Sequence, residues 1–154
     1  MVKVTTLCYI RKNAQVLMLL RNKKAHDENE GKWIGVGGKL EQGETPHECV
    51  CREVLEETGL KLTDYRFRGM ISFISDVWED ELMLLYDASG FEGELKTDCS
   101  EGTLRWIPQD QVMQLPLWEG DRLFLEKLLK SDETFSMKLV YRGEELVSSA
   151  EYCR

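Results

Sequence analysis

Hydrophobic and polar residues alternate with two different periods along this chain. Eight stretches alternate with period two or form short apolar runs rich in β-branched and aromatic residues, which is typical of β-strands. We predict strands at residues 2–10, 15–21, 33–36, 61–76, 81–88, 104–107, 135–140 and 144–150. Two stretches follow the 3.6-residue period of a helix: residues 46–58 and 119–130, with one more helical turn at 109–114. We expect the strands to form a mixed sheet.

The connecting segments lack periodicity, and the second helix carries an apolar stripe. Residues 22–32 and 89–97 are polar or rich in glycine and glutamate, so both are predicted to be loops. On the second helix, the helical spacing predicts four side chains that point inward. These are Leu123, Phe124, Leu128 and Leu129.

The segment that leads into the first helix carries helix start and stop signals. Thr45 is suited to the N-cap, and Pro46 occupies the first helical position, where its missing N–H costs nothing. Glu48 lies at the position that completes a capping box. Gly59 follows the last turn and readily adopts a positive φ. We therefore predict a helix of about four turns between these signals.

The side chains of this first helix separate into an apolar face and an acidic face. At about 100° per residue, the apolar residues span about 140° and are predicted to be buried: Val50, Cys51, Val54, Leu55 and Thr58. Three glutamates at i, i+3 and i+4 share about 100° on the other side: Glu53, Glu56 and Glu57. We predict that their carboxylates form an exposed acidic ridge.

Three like charges on one ridge favour binding of a cation. Each pair opposes helix formation by a few tenths of a kcal/mol, and a hard divalent ion with oxygen ligands relieves that repulsion. Mg²⁺ usually binds one or two carboxylates together with phosphate oxygens of a substrate. The alternative interpretation is a solvated acidic helix face without a ligand.

Residues 38–60 combine this ridge with fixed glycines and an arginine. The pattern consists of Gly38, Glu44, Arg52, Glu53, Val54, Glu56, Glu57, Gly59 and Leu60. It resembles the Nudix box without a departure. The resemblance implies a single Nudix hydrolase domain over residues 1–154, built as an α/β/α sandwich with a mixed sheet. It also implies hydrolysis of a nucleoside diphosphate linked to another group, with Mg²⁺ or Mn²⁺ as the cofactor.

The same resemblance implies roles for individual residues. The carboxylates of Glu53, Glu56 and Glu57 would bind metal or position water, and the carbonyl of Gly38 would join them. Arg52 and Glu44 would orient the acids. In this family a further acid outside the box often completes the metal site, and Glu101, just before a predicted strand, is the candidate here. A plain loop carboxylate is the alternative for Glu101.

A second resemblance, over most of the chain, is to the MutT-type branch that hydrolyses oxidised purine nucleoside triphosphates. It is carried by GKWIGVGGKLEQGET, by Glu81-Leu82-Met83 and by Leu117-Trp118-Glu119-Gly120-Asp121. By that likeness Phe73, Met83 and Trp118 would line a base pocket, and Asp121 would bind the edge of a purine such as 8-oxoguanine. Ile34 and Gly120 depart from the pattern, which has an asparagine and a second aspartate there.

Three of the four base-pocket residues also have a purely structural interpretation. Trp118 is compatible with a core aromatic, Met83 with strand packing, and Asp121 with the N-cap of the following helix. Lys23 and Lys39, together with Arg21 and Lys24, are compatible with phosphate contacts or with solvent exposure alone.

The composition of the chain limits the classes of partner it can bind. The chain has 154 residues and a net charge of −8, which repels a nucleic-acid polymer but is compatible with a small nucleotide bound through a metal ion. No stretch approaches the roughly 20 apolar residues of a membrane span, and the five cysteines lack paired spacing. We therefore expect a cytoplasmic protein with reduced thiols and no membrane partner; the oligomeric state stays open.

Two other functions stay open at this point. One is hydrolysis of a different nucleoside diphosphate derivative, such as a dinucleoside polyphosphate or ADP-ribose. The other is a Nudix module that binds a nucleotide without hydrolysing it, since function follows the site and not the fold. The complete set of box acids favours an enzyme.

Overall fold

The computed structural model describes residues 1–23, 26–96 and 99–153. The nine strands are β1 (Lys3–Lys12), β2 (Gln15–Arg21), β3 (Trp33–Ile34), β4 (Val36–Lys39), β5 (Lys61–Ser75), β6 (Glu81–Glu92), β7 (Gly102–Pro108), β8 (Phe135–Arg142) and β9 (Glu145–Cys153). The two helices are α1 (Pro46–Thr58) and α2 (Glu119–Lys130), and a 3-10 helix covers Gln109–Gln114. All the predicted elements are present, with ends shifted by a few residues.

The strands form a mixed sheet. The order along the sheet is β3-β2-β1-β6-β5-β8-β9, with β4 paired to β1 and β7 paired to β2. The pairs β1/β6 and β5/β8 are parallel, and the other pairs are antiparallel. The predicted strand at 33–36 divides at Gly35, because β3 pairs with β2 whereas β4 pairs with β1.

Each face of the sheet carries its own hydrophobic core. Leu7 and Tyr9 of β1 pack into one core with Phe124 of α2, and the alternating residue Cys8 packs into the other with Val54 of α1. Successive side chains of a strand point to opposite faces, so the two helices cover opposite faces of the sheet. This arrangement confirms the predicted α/β/α sandwich.

The buried face of α1 is rotated relative to the prediction. Leu55 was predicted to be buried but is 49% exposed. Glu57 was predicted to lie on an exposed ridge but is 8% exposed, and Cys49 is buried. The helix packs on β1 and β4 with the Cys49 thiol 3.3 Å from the Thr6 hydroxyl, and in this orientation Glu57 is buried beside Glu101.

Two other local predictions were wrong. On α2, Leu123 is 40% exposed and Leu125 is fully buried, because the helix turns Leu125 toward the core that contains Phe124 and Leu128. Residues 89–92 belong to β6, where Phe91 pairs with Leu62 and stacks on Trp106. The end of the predicted 89–97 loop, Thr97, lies outside the described residues.

Asp87 is a buried carboxylate that binds three arginines on the face of the sheet opposite α1. Asp87 is 3% exposed, and it accepts hydrogen bonds from Arg11 at 2.6 Å, Arg66 at 3.0 Å and Arg68 at 2.8 Å. Burial alone would raise the pKa of Asp87, but the hydrogen bonds from Arg66 and Arg68 and the charge of Arg11 hold that pKa below its ordinary value. The network ties β1, β5 and β6 together. Sequence periodicity gave no sign of it.

Among the described residues, no helix has both the length and the apolar character needed to cross a lipid bilayer.

Candidate active site

The amino end of α1 is fixed by the predicted capping box. The Glu48 amide donates to the Thr45 hydroxyl at 3.1 Å, and the Thr45 amide donates to the Glu48 carboxylate at 2.9 Å. Gly59 ends the helix with φ near +80°. These caps fix where α1 begins and ends.

Arg52 is the centre of the acidic cluster on α1. Its Nε donates to Glu44 at 2.6 Å, and its Nη1 donates to Glu53 at 2.9 Å and to Glu56 at 3.3 Å. Its Nη2 donates to the Lys39 carbonyl at 3.2 Å. Hydrogen bonding from Arg52 lowers the pKa of Glu44 to about 2. One guanidinium therefore positions the acids, as the box pattern implied for Arg52 and Glu44.

The missing side chain of Gly38 leaves room for the carboxylate of Glu53. A Cβ added at Gly38 would lie 2.4 Å from the Glu53 carboxyl carbon, so only glycine lets these groups meet. The Gly38 carbonyl lies 3.7 Å from the Cys49 thiol. Burial raises the pKa of Glu53. The hydrogen bond and the charge of Arg52 lower this pKa, whereas the charges of Glu56 and Glu101 raise it further.

Glu57 and Glu101 form a second acidic pair under this cluster. Burial, followed by a hydrogen bond and charge repulsion from Glu101, raises the pKa of Glu57 to about 9. The Oε2 atom of Glu57 is buried and has no hydrogen-bond partner in the part of the chain that the structure describes. Arg21 also donates a hydrogen bond to the Glu101 carboxylate at 2.9 Å. The pair thus keeps a proton at neutral pH in the absence of a cation.

The chemistry of these residues fits a divalent cation. Within residues 1–23, 26–96 and 99–153, no three acidic, histidine or cysteine side chains already surround one point. Arg52 instead donates hydrogen bonds to Glu44, Glu53 and Glu56. Mg²⁺ prefers hard oxygen donors. The donors available here are the unpartnered Oε2 atom of Glu57, the carbonyl oxygen of Gly38 beside Glu53, and the carboxyl oxygens of Glu101. A cation would replace the proton on the Glu57–Glu101 pair.

A cavity of about 600 Å³ extends from this acidic cluster. Gly38, Glu53 and Glu101 line one end of it. The four residues predicted to form a base pocket also line the cavity: Phe73, Met83, Trp118 and Asp121. One continuous space therefore joins the box acids to an aromatic pocket.

Trp118 is held by three neighbours. Its indole N–H donates to Asn29 at 2.9 Å. Its ring lies 5.2 Å from Tyr141, edge to face, and the Lys32 ammonium lies 5.1 Å from its centre. Asn29, from the segment predicted as a loop at residues 22–32, thus forms part of the wall of the aromatic pocket.

The two departures from the oxidised-purine pattern have structural consequences. The Gly120 amide donates to the Tyr141 hydroxyl at 2.7 Å, and a Cβ at Gly120 would lie 2.6 Å from that oxygen. An aspartate here would have to displace the ends of the Tyr141 and Leu139 side chains, so the packing favours glycine. Ile34 lines the cavity with an apolar side chain.

A buried carboxyl group, Asp121, and a partly buried one, Glu81, lie at the pocket end of the cavity. Asp121 is 5% exposed and occupies the first turn of α2, whose N-cap is Trp118, so the N-cap interpretation of Asp121 is wrong. Burial, assisted by the charge of Glu81, raises the pKa of Asp121 to about 8. Glu81, which sequence analysis missed as a pocket residue, accepts a hydrogen bond from Thr5 at 2.5 Å and pairs with Lys3.

The predicted phosphate-binding lysines have different surroundings. Lys39 is exposed and lines the cavity. Lys23 is absent from the cavity wall and donates to the Cys99 carbonyl at 2.8 Å. Lys24 lies outside the described residues. Arg21, in contrast, lines the cavity.

A family model described as the NUDIX domain matches residues 1–128 of this chain. The chain is a member of the Nudix family. The Nudix chain is 32% identical over 130 residues to the oxidized purine nucleoside triphosphate hydrolase of Mus musculus, covering 83% of this chain and 80% of the relative. It is 28% identical over 148 residues to an uncharacterized Nudix hydrolase of Bacillus subtilis, covering 93% and 90%.

Solved structures agree with this assignment. A MutT protein from Bacillus halodurans superposes with a TM-score of 0.89 at 30% identity, covering 97% of each chain. The relatives are named hydrolases, and this Nudix chain is accordingly a hydrolase that acts on nucleotide anhydrides. Nudix hydrolases generally use divalent metal ions.

Replacing Asp121 with asparagine is expected to stabilise the free protein at alkaline pH. Aspartate has a pKa of about 3.9 when unfolded and about 8 here, so between these values the folded state binds the extra proton and its stability falls as pH rises. The free energy of unfolding of the wild type therefore falls by at most about 1.4 kcal/mol per pH unit. Asparagine does not titrate.

Melting temperatures of wild type and Asp121→Asn between pH 4 and pH 9 test this. We expect equal melting temperatures near pH 4 and an increasing advantage of the variant toward pH 8. A difference that does not change with pH would contradict a protonated Asp121.

Proposed function

We propose that this protein is a Mg²⁺-dependent pyrophosphohydrolase of purine nucleoside triphosphates, with Mn²⁺ as a substitute and oxidised purine deoxynucleotides such as 8-oxo-dGTP as substrates. The products would be the nucleoside monophosphate and pyrophosphate. The observation that carries the proposal is the single cavity that joins Glu53 and Glu101 to the aromatic pocket of Phe73 and Trp118. A nucleotide has charged phosphates at one end and a flat base at the other, and the cavity has matching ends.

The acidic end would act on the phosphates. Bound Mg²⁺ supplies charge neutralisation for the triphosphate and makes water a better nucleophile. Glu53, Glu57, Glu101 and the Gly38 carbonyl would hold it, with Glu56 at the outer edge. Arg52 orients Glu53 and Glu56 through its hydrogen bonds, and Lys39 or Arg21 would contact phosphate oxygens.

The reaction would be an attack by water on the β-phosphorus. The new bond joins the water oxygen to that phosphorus, and the bond to the oxygen bridging it to the α-phosphorus breaks. A carboxylate takes the proton of the attacking water. Glu53, Glu56 and Glu101 are the candidates for this base, since Glu57 is the buried acid of the group.

The pocket end would bind the base. A purine stacked on Trp118 gains about 1–3 kcal/mol, whatever its identity, so discrimination depends on polar groups. Asp121 carries a proton at neutral pH because its pKa is about 8, and a protonated carboxyl group both donates and accepts. It therefore suits a purine edge that presents one acceptor and one donor.

The remaining expectations belong to the same proposal. We propose one domain over residues 1–154 that works on small nucleotides in the cytoplasm, with no nucleic-acid polymer or membrane as a partner. The net charge of −8 supports the exclusion of a nucleic-acid polymer as a partner. Cys8, Cys49, Cys51 and Cys99 are free thiols, which suits a reducing compartment.

A nucleotide screen tests the proposed activity. Purified protein is incubated with oxidised and normal purine triphosphates, pyrimidine triphosphates, a dinucleoside polyphosphate and ADP-ribose, each with Mg²⁺ and with EDTA. We expect pyrophosphate release that needs Mg²⁺ and is fastest with a purine triphosphate. Preference for ADP-ribose or the dinucleoside polyphosphate, or binding without hydrolysis, would contradict the proposal.

A further inference from the structure

A tryptophan with no role so far stands at the rim of the cavity. Trp78 lies on the turn between β5 and β6, is 39% exposed, and lines the cavity. Its neighbour Val77 is 61% exposed and does not line the cavity. A large aromatic side chain left exposed at a cavity mouth is more informative than one packed in a core.

The strand register places Trp78 at the pocket end of the cavity. Phe73 of β5 pairs with Glu81 of β6, and Lys3 of β1 pairs with the same Glu81. All three residues line the cavity. The turn that carries Trp78 connects β5 to β6 directly beyond these residues, and so it adjoins the base pocket and not the acidic cluster.

Hydrogen bonds fix the shape of this turn. The Ser75 hydroxyl accepts from the amides of Val77 at 3.0 Å and Trp78 at 2.9 Å. Asp80 accepts from the Ser75 amide at 3.2 Å. The Asp76 carboxylate accepts from the Gly143 amide at 2.8 Å, which ties the turn to the β8–β9 turn. Trp78 is therefore presented on a defined backbone.

The other aromatic residues of the pocket already contact one another. Tyr141 lies 5.2 Å from Trp118 and 6.5 Å from Phe73, ring centre to ring centre. In contrast, the described part of the chain provides no aromatic ring or cation within contact of the Trp78 indole. The indole is thus available to a flat ligand in the cavity.

We propose that Trp78 contacts the substrate base and forms, with Trp118, a two-sided aromatic clamp. This inference rests on the proposed nucleotide hydrolysis and adds a specificity residue to it. Stacking energy rises with the overlapping ring area, so the clamp favours two-ring purines over one-ring pyrimidines. Trp118 provides the rigid inner surface, and Trp78 provides the outer surface at the entrance.

The test is steady-state kinetics on Trp78→Ala, with Val77→Ala as the matched control from the same turn. We expect Trp78→Ala to raise KM for purine triphosphates about 5- to 150-fold, which corresponds to the loss of one stacked base, with kcat within about twofold. The ratio of purine to pyrimidine kcat/KM should fall. Trp78→Phe should recover part of the affinity, and Val77→Ala should match wild type.

Inhibition by pyrophosphate separates base contact from a general effect on the site. The Ki of pyrophosphate should be the same in wild type and Trp78→Ala, because pyrophosphate lacks a base. An unchanged KM in Trp78→Ala, or a Ki that rises as much as KM, would overturn the inference while leaving the hydrolase proposal intact. A wild-type protein that hydrolyses no nucleoside triphosphate would instead defeat the proposed function itself.

Discussion

Replacing Glu57 with glutamine is expected to lower metal-dependent hydrolysis by about 10²- to 10⁴-fold while leaving the fold nearly intact. The buried Glu57 carboxyl group has a pKa of about 9, so it is neutral in the free protein at pH 7. Glutamine has the same shape and is also neutral. The variant keeps the packing of α1 but cannot offer an anionic oxygen to a cation.

Two measurements on Glu57→Gln check this expectation. One is pyrophosphate release with Mg²⁺, and the other is the melting temperature with and without Mg²⁺, because an ion that binds the folded state stabilises it. The variant should lose both the activity and the Mg²⁺-induced shift. Glu126→Gln, an exposed acid on α2, is the control and should retain both. Wild-type rates in Glu57→Gln would count against the assigned metal site.

Replacing Asp87 with alanine is expected to destabilise the protein by about 3–5 kcal/mol, because it removes the partner of a buried charge. Arg68 is 1% exposed and donates to Asp87 at 2.8 Å. Without the carboxylate, this guanidinium keeps its bonds to the carbonyls of Leu128 and Ser131 but loses its counter-charge. Urea unfolding of wild type and variant measures the difference.

The pH dependence gives the Asp87 prediction a second readout. The folded pKa of Asp87 is depressed, so its contribution is present above the unfolded value of about 3.9 and is lost as pH falls through the folded pKa. The difference in the free energy of unfolding between wild type and Asp87→Asn should therefore become smaller below pH 4. Asp64→Asn, an exposed acid of β5, serves as the control. A loss under about 1 kcal/mol for Asp87→Ala, the range of surface ion pairs, would show that the network is dispensable.

The local signals of the sequence predicted the elements and the first helix well. Thr45, Pro46, Glu48 and Gly59 act within a few residues of one another, so their capping roles do not depend on the rest of the fold. The alternation of strand residues likewise located the strands. Such short-range patterns predict where elements begin and end, and for α1 they were sufficient.

Helix faces were harder to predict because tertiary contacts decide them. Leu55 and Leu123 are apolar but exposed, whereas the acid Glu57 is buried. A helical wheel assumes that the most apolar arc is the buried one, but here β4 and Glu101 give Glu57 a place inside. The wheel and the Nudix-box likeness both pointed to Glu57 as a member of the acidic cluster, but the wheel placed it on the exposed side of the helix, whereas it is 8% exposed.

Groups that meet across the sheet left no trace in the order of residues. Asp87 collects arginines from β1 and β5, and Glu81 reaches the same pocket as Asp121 from α2. The sequence separations involved, 76 residues for Arg11 and Asp87, are beyond any periodicity argument. Trp78 escaped notice for the same reason, since its turn becomes a pocket rim only when β5, β6 and β8 assemble.

We propose that Glu53, Glu57 and Glu101 hold the divalent ions needed for hydrolysis beside the acidic end of this cavity. A crystal grown with Mn²⁺ and a non-hydrolysable purine triphosphate, measured at a wavelength where manganese scatters anomalously, tests it most directly. Anomalous peaks should lie between these carboxylates and the phosphates, with the base in contact with Trp118. Peaks confined to other acids, or phosphates bound away from Gly38 and Glu53, would contradict the account.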